Sequence, residues 1–117
     1  MNPSILPSKS FDKNYLLRLL NGNTEMMGVV LNEIYYTLPK CLSEIDSGLK
    51  NNDSLGVVTY ATRAKSALLM IREDQLAQAF NQIEISARNG EMKLAEITFI
   101  EAFNTALSCI SIMKEAV

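Results

Sequence analysis

The hydrophobic positions of the chain recur at three- and four-residue steps over long stretches, and this is the period of amphipathic helices. The longest stretch covers residues 24–50, and Asn23 or Thr24 can cap its start. Pro39 lies inside it and predicts a kink or a division near residues 36–38, because proline has no amide hydrogen. The apolar positions of this helix are Met27, Val30, Leu31, Ile34, Leu38, Leu42, Ile45 and Leu49.

Three more helices are predicted over residues 54–71, 75–87 and 92–115, separated by Asn-, Asp- and Gly-containing turns. No stretch alternates with period two as a strand would. For the helix over residues 54–71 the predicted inner positions are Leu55, Val58, Ala61, Ala64 (or Leu68) and Ile71. For the helix over residues 75–87 they are Leu76, Ala79, Phe80 and Ile83. For the helix over residues 92–115 the predicted inner positions are Met92, Ala95, Phe99, Phe103, Ala106, Ile110 and Met113, and Ile100 and Leu107 widen this apolar stripe.

A shorter apolar pattern through residues 11–20 predicts a small first helix that ends at Asn21-Gly22-Asn23, and residues 1–10 are typical of an arm or linker. Short connections between long helices favour antiparallel neighbours. The fold class predicted for residues 11–117 is therefore all-α, an antiparallel up-down-up-down four-helix bundle with a short extra N-terminal helix.

Composition narrows the possible partners. A chain of 117 residues forms one domain and can bury a core without disulfides or metal. Eleven basic and thirteen acidic residues give a net charge of -2, so no nucleic-acid partner is expected. The longest uncharged stretch, residues 102–113, is short and partly polar, so no membrane insertion is expected. Without a signal-peptide pattern, we expect a cytoplasmic protein or a cytoplasmic part of something larger.

The chain contains no histidine, which removes the commonest general base and the commonest transition-metal ligand. Serine-histidine and cysteine-histidine catalysis and the Glu-x-x-His sites of di-iron bundles are excluded with it. Cys41 and Cys109 lie within apolar helical patterns and have no metal-binding spacing, so we expect buried, reduced thiols. We therefore expect no cofactor, no metal and no small-molecule substrate.

The order and spacing of several short motifs resemble one family, the histidine-containing phosphotransfer (HPt) domains of two-component phosphorelays. The resemblance covers residues 11 to about 110. Its most diagnostic part is the third helix, where Ala61-Thr62-Arg63-Ala64-Lys65-Ser66-Ala67 looks like the family's Ala-His-x-Leu-Lys-Gly-Ser. The other motifs are the first helix with its Asn21-Gly22-Asn23 turn, Leu38-Pro39-x-x-Leu42-x-x-Ile45, and Ile83-x-x-x-Ala87-Arg88-Asn89-Gly90-Glu91.

The resemblance places Thr62 where the family has its phosphorylated histidine. Lys65 keeps the family's lysine, whereas Ser66 and Arg72 replace two glycines. A threonine phosphoester is too stable to return its phosphoryl group to an aspartate, and the nearest ionisable side chains in sequence are Arg63 and Lys65, so we expect no base beside the Thr62 hydroxyl. The chain is therefore expected to be a pseudo-phosphotransfer domain that neither accepts nor relays phosphate, and not an enzyme.

The resemblance also implies a docking surface on the third helix. Receiver domains hold their aspartate in an acidic pocket and bind HPt domains over this helix, so Lys65 can meet the pocket while Arg63 and Arg72 add complementary charge. The expected partner is a response-regulator receiver domain or a hybrid sensor kinase. The predicted receiver-binding residues are Thr59, Thr62, Arg63, Lys65, Ser66, Leu69 and Arg72.

Other interpretations remain open. Thr62, Ser66 and Lys65 can be ordinary solvated helix positions. The chain can instead be a structural or dimerising helical-bundle adaptor, or the terminal domain of a hybrid sensor kinase. For a phosphotransferase that uses a residue other than Thr62, the sequence offers no candidate.

Overall fold

A computed structural model describes residues 13–116, and the part described contains five helices and no strand. They are α1 (Lys13–Leu19), α2 (Thr24–Lys50), α3 (Ser54–Met70), α4 (Asp74–Arg88) and α5 (Met92–Ala116). The all-helical prediction is confirmed for these residues, and the predicted helices match the observed ones closely. The predicted arm, residues 1–10, and the start of the first predicted helix lie outside the described residues.

The four long helices pack around one hydrophobic core. The contact between α3 and α4 is the most extensive, followed by those of α2 with α3 and of α4 with α5. The contact between α2 and α5 is thinner, and α1 makes only a small contact with α2. The largest fully buried side chains come from all five helices: Leu16, Leu31, Leu38, Cys41, Ile45, Val57, Leu68, Ile71, Leu76, Phe80, Ile83 and Met113.

The ends of the helices follow local signals in the sequence. Asn23 Oδ1 accepts a hydrogen bond from the backbone N–H of Met26 at 2.9 Å, which caps α2. After each of the first four helices the backbone becomes left-handed, and an N–H directly after the first left-handed residue bonds back to a carbonyl of the last turn. The left-handed residues are Asn21 and Gly22 after α1, Asn52 after α2, Arg72 after α3 and Gly90 after α4. Arg72 alone is neither asparagine nor glycine.

Pro39 does not divide α2, which runs without a break from Thr24 to Lys50. Of the two predicted effects of Pro39, a kink or a division of the helix, the division is therefore wrong. Pro39 is exposed, and its missing N–H removes one hydrogen bond of the helix without ending it.

Three predicted core positions are wrong. Leu55 is 76% exposed, and Val57 takes the buried position of this turn of α3 because it packs against Gly48 of α2. Ile100 and Leu107 are 65% and 44% exposed. The reason is that α5 packs mainly on α4 and only thinly on α2, so the two widening positions face an open groove and not the core.

Both cysteines are buried, reduced thiols, as predicted. Burial raises the pKa of the Cys109 thiol to about 12, and the charge of Glu73 adds to this rise. Burial also raises the pKa of Cys41, against the opposing charges of Arg63 and Lys40. The thiolate, which is the reactive form, is therefore scarce in the folded protein.

We expect the folded protein at pH 8 to react with an aromatic disulfide reagent at least about 100-fold more slowly than the same chain in denaturant, because the reaction needs an accessible thiolate. The measurement is the rate of thiol release with and without urea, with mass spectrometry assigning the modified cysteine. Equal rates in the two conditions would show that the thiols are not protected by this core.

Candidate functional site

The predicted docking residues form one accessible surface on the side of α3 that faces away from the core. Thr59, Thr62, Ser66 and Leu69 follow one another at three- and four-residue steps, and each is half-buried or exposed. Arg63 is exposed beside this row. Lys65 and Arg72 border the row on the side of α4 and its preceding turn. We call this set of seven residues the α3 surface.

The three hydroxyl groups of the α3 surface are engaged within the helix. The hydroxyls of Thr59 and Thr62 donate to the carbonyl oxygens of Leu55 and Val58, each at 2.8 Å. The Ser66 hydroxyl donates to the Thr62 carbonyl at 3.1 Å. A hydroxyl has one proton, so these groups offer a partner their oxygen lone pairs and not a hydrogen-bond donor.

Lys65 bridges α3 and α4. Its Nζ lies 3.0 Å from Glu84 Oε1 and 3.1 Å from Asn81 Oδ1, and the side chain is only 26% exposed. Glu84 also accepts a hydrogen bond from the Arg88 guanidinium at 3.0 Å. The positive charge of Lys65 is therefore shared with a carboxylate, while one of its three N–H donors remains for another partner.

Glu84 lies beside the position where the HPt resemblance expects a histidine. The hydrogen bond from Lys65 is the main cause that holds the pKa of Glu84 below its ordinary value; burial opposes it, and the hydrogen bond from Arg88 adds to the lowering. The expectation that no base lies near Thr62 is therefore wrong, because α4 brings in a carboxylate that is distant in sequence. A carboxylate with a lowered pKa is a weak base, and the Thr62 hydroxyl donates to the Val58 carbonyl.

Two arginines of the α3 surface rest on tyrosine rings. The guanidinium of Arg63 lies 5.1 Å from the ring centre of Tyr60, and that of Arg72 lies 4.9 Å from the ring centre of Tyr15. Arg72 also pairs with Asp74 at 3.3 Å. These contacts place both guanidinium groups near the edges of the surface.

The charge of the region around Thr62 is positive. Arg63, Lys65 and Arg88 surround it, and Glu84 is the carboxylate that balances part of their charge. Clustered charge of one sign steers a partner of the opposite sign during association. An acidic pocket fits this surface better than a basic or neutral one.

Sequence reasoning missed the contribution of α4 to this site. Asn81, Glu84 and Arg88 recur at three- and four-residue steps along one edge of the buried stripe of α4. This pattern could have indicated a polar ridge beside α3. It could not have indicated that the ridge reaches Lys65, because the packing of α4 against α3 decides that.

The described residues contain no group of three or more cysteine, aspartate or glutamate side chains that could hold a metal ion. Comparison of the chain with protein-family models, with curated proteins and with solved structures found no match.

The lowered pKa of Glu84 predicts how stability depends on pH. A carboxyl group whose pKa is lowered on folding stabilises the protein at pH values above its pKa in the unfolded chain, which is near 4.5. This contribution is lost as the pH falls through the pKa of the group in the folded protein. We therefore expect the free energy of unfolding to fall on acidification below about pH 5, and to fall less steeply in Glu84→Gln. The measurement is urea unfolding at several pH values.

The control for this prediction is Glu33→Gln, which removes an exposed carboxylate from α2. It should keep the steep acid dependence of the parent protein. If Glu84→Gln and Glu33→Gln have the same pH profile, the Lys65–Glu84–Arg88 network does not contribute as described.

Proposed function

We propose that this chain is an HPt-like signalling module of a two-component system that binds receiver domains through the α3 surface without relaying phosphate. The observation that carries the proposal is the positive charge of the accessible α3 surface. Arg63 and Lys65 of this surface, together with Arg88 of the adjacent α4, lie around Thr62, which the resemblance aligns with the family's histidine. The resemblance of the sequence to HPt domains supports the identity of the partner.

The arrangement of the helices supports the proposal as well. We infer an antiparallel up-down-up-down bundle, since three-residue connections join α2 to α3, α3 to α4 and α4 to α5. The Ser54 hydroxyl at the start of α3 donates to the Ala87 carbonyl at the end of α4, at 2.6 Å. This contact is the one expected where consecutive helices run in opposite directions. Such a bundle leaves the outer face of α3 open to a partner.

The chemistry of position 62 supports binding without transfer. Transfer would require a nucleophile that attacks an aspartyl phosphate and later releases the phosphoryl group to another carboxylate. The Thr62 hydroxyl donates its proton to the Val58 carbonyl and has only the weakly basic Glu84 beside it. The phosphoester that it could form would not return the group.

Titration of the isotope-labelled protein with receiver domains, followed by NMR, tests the proposal. We expect chemical-shift changes at residues 59–72 and on the polar ridge of α4. Arg63→Glu should weaken binding about tenfold or more, because it reverses a charge that faces the acidic pocket.

The matched control is Lys93→Glu, which makes the same change in net charge at an exposed position in the first turn of α5. An acidic residue in a first turn is favourable for the helix. Its receiver affinity should equal that of the parent. Absence of binding to any receiver of the source organism, or shifts confined to another face, would overturn the proposal.

The second candidate function, a dimerising adaptor, has an observation of its own. The exposed side of α5 is apolar and borders a groove against α2. This surface lies away from α3, which makes no extensive contact with α5. The two functions therefore use different faces and can be tested separately.

A further inference from the structure

The outer side of α5 is unusually apolar for a helix on the surface of a bundle. Leu94, Ile97, Ile100 and Leu107 are all exposed there, each by 44% or more. By length and composition alone, residues Met92–Glu115 would also pass as a membrane-crossing helix. A contiguous exposed apolar patch is typical of a surface that binds a partner.

This apolar row borders a groove between α2 and α5 with a volume of about 680 Å³. The groove is present because α2 and α5 make the thinnest contact among the neighbouring long helices. Ile100 and Leu107 belong both to the exposed row and to the wall of the groove. The other apolar residues of the wall are Pro39, Leu42, Leu49, Phe99, Phe103 and Ile110.

We propose that the α2–α5 groove and the apolar row of α5 form a homodimer interface, and that the occupant of the groove is a second copy of this chain. A two-fold dimer needs a surface that is complementary to itself. A ridge directly beside a groove satisfies this requirement, because each copy can place its Ile100 and Leu107 in the groove of the other. Asn104, between them on the same wall, carries both a donor and an acceptor and can therefore bond to an amide of its own kind.

The charges at the edge of the groove favour an uncharged partner surface. Asp46 pairs with Lys50 at 2.9 Å, and Glu96, on the same wall, pairs with Lys93 at 3.6 Å. The rim is therefore polar but balanced, and the centre is apolar, which is the usual composition of a protein interface. A second copy brings no net charge to such a rim and is not repelled. An anionic membrane would instead favour a row of basic residues, whereas the charged residues that line this groove are Asp46, Lys50 and Glu96.

The size of the surface fits a reversible dimer. The face extends from Leu94 to Ile110, which is about 24 Å along the helix at 1.5 Å per residue, and two adjacent helices make it about 20 Å wide. Each copy would then bury about 500 Å², or about 1,000 Å² in total, which is the lower limit for a specific interface. We therefore expect a dimer that dissociates in the micromolar range.

Sedimentation equilibrium of the full chain over about 1 to 300 μM tests the proposal. We expect a monomer–dimer equilibrium with a dissociation constant on the order of 10 μM. Ile100→Glu and Leu107→Glu should each weaken it about tenfold or more, because each buries a carboxylate in an apolar interface. Leu55→Glu, a change at another exposed leucine outside the groove, should leave it unchanged. Circular dichroism shows whether each variant is folded.

Isotope-filtered NMR of a mixed-labelled sample provides a second measurement, with intermolecular contacts expected between residues of α5. A monomer over the whole concentration range overturns the proposal, as does a dimer that Ile100→Glu leaves intact. Two further results also overturn it. The first is a monomer that binds phosphatidylcholine vesicles and needs Ile100 to do so. The second is a monomer in which the substitution Ile5→Glu shifts the NMR signals of the groove residues. In those cases the occupant is a membrane or the N-terminal segment of the same chain.

This inference does not rest on the proposed receiver binding. Ile100→Glu should weaken dimerisation and leave the response to receiver domains unchanged, whereas Arg63→Glu should weaken receiver binding and leave dimerisation unchanged. The failure of one proposal therefore leaves the other standing.

Discussion

Gly48→Ala is expected to lower the free energy of unfolding by about 2 kcal/mol, a large effect for a single methyl group. A Cβ atom at this position would lie 2.8 Å from Val57 Cγ2 and 3.3 Å from the Asp53 carbonyl oxygen. Two of the nearest three atoms belong to the backbone of the α2–α3 turn and of α3, which cannot move without separating the helices. The clash outweighs the gain of up to about 1 kcal/mol that alanine normally brings to a helix interior. Urea unfolding measures the difference.

The matched control is Gly28→Ala in the same helix. A Cβ atom there would meet nothing within 4 Å, so only the helix propensity changes and the protein should gain about 0.5 to 1 kcal/mol. The two variants are thus expected to change stability in opposite directions. A stabilising Gly48→Ala would mean that α2 and α3 are not packed as closely as the structure has them.

The close approach at Gly48 also explains the limits of prediction from sequence. The turns were predictable because their signals are local. Asn23 and Asp53 accept hydrogen bonds from backbone N–H groups three residues later, and Gly90 adopts the left-handed backbone that ends α4. The side of α3 that faces the core was harder. Leu55 and Val57 are both apolar, and the choice between them depends on where α2 comes close, which is information from another helix.

The candidate site likewise has a part that depends on local sequence and a part that depends on the packing of the helices. The row Thr59, Thr62, Ser66 and Leu69 could be predicted, because residues three and four apart share a helix face. The partner of Lys65 could not, since Glu84 is 19 residues away and reaches it only through the packing of α4 on α3. Spacing thus predicted the surface, whereas its charge balance depends on the tertiary structure.

That charge balance has a consequence for position 62. If the HPt resemblance is correct, Thr62→His restores the nucleophile of the family, yet the new imidazole would lie beside the Glu84 carboxylate. A phosphoryl group arriving from a receiver would then face a negative charge within a few ångströms, and Lys65, the group suited to balance it, is already paired with that carboxylate.

We therefore expect the parent protein to acquire no acid-labile phosphate from a phosphorylated receiver, Thr62→His to acquire it slowly, and Thr62→His/Glu84→Gln to acquire it about tenfold faster. In each transfer the acyl phosphate bond of the receiver aspartate breaks and releases its carboxylate, while the unprotonated imidazole nitrogen forms a bond to phosphorus. The other ring nitrogen gives up its proton to water. Glutamine keeps an oxygen that accepts from Lys65, so the bridge between α3 and α4 survives while the carboxylate charge is lost.

The control is Thr62→His/Glu33→Gln, which makes the same change in net charge at a distant, exposed position and should match Thr62→His alone. Equal rates for all three histidine variants would show that Glu84 does not hold back the transfer. Acid-labile label on the parent protein would contradict the proposal that this chain binds receivers without relaying phosphate. Label on none of the variants, despite receiver binding, would mean that the α3 surface docks a receiver in a geometry that keeps position 62 away from the aspartyl phosphate.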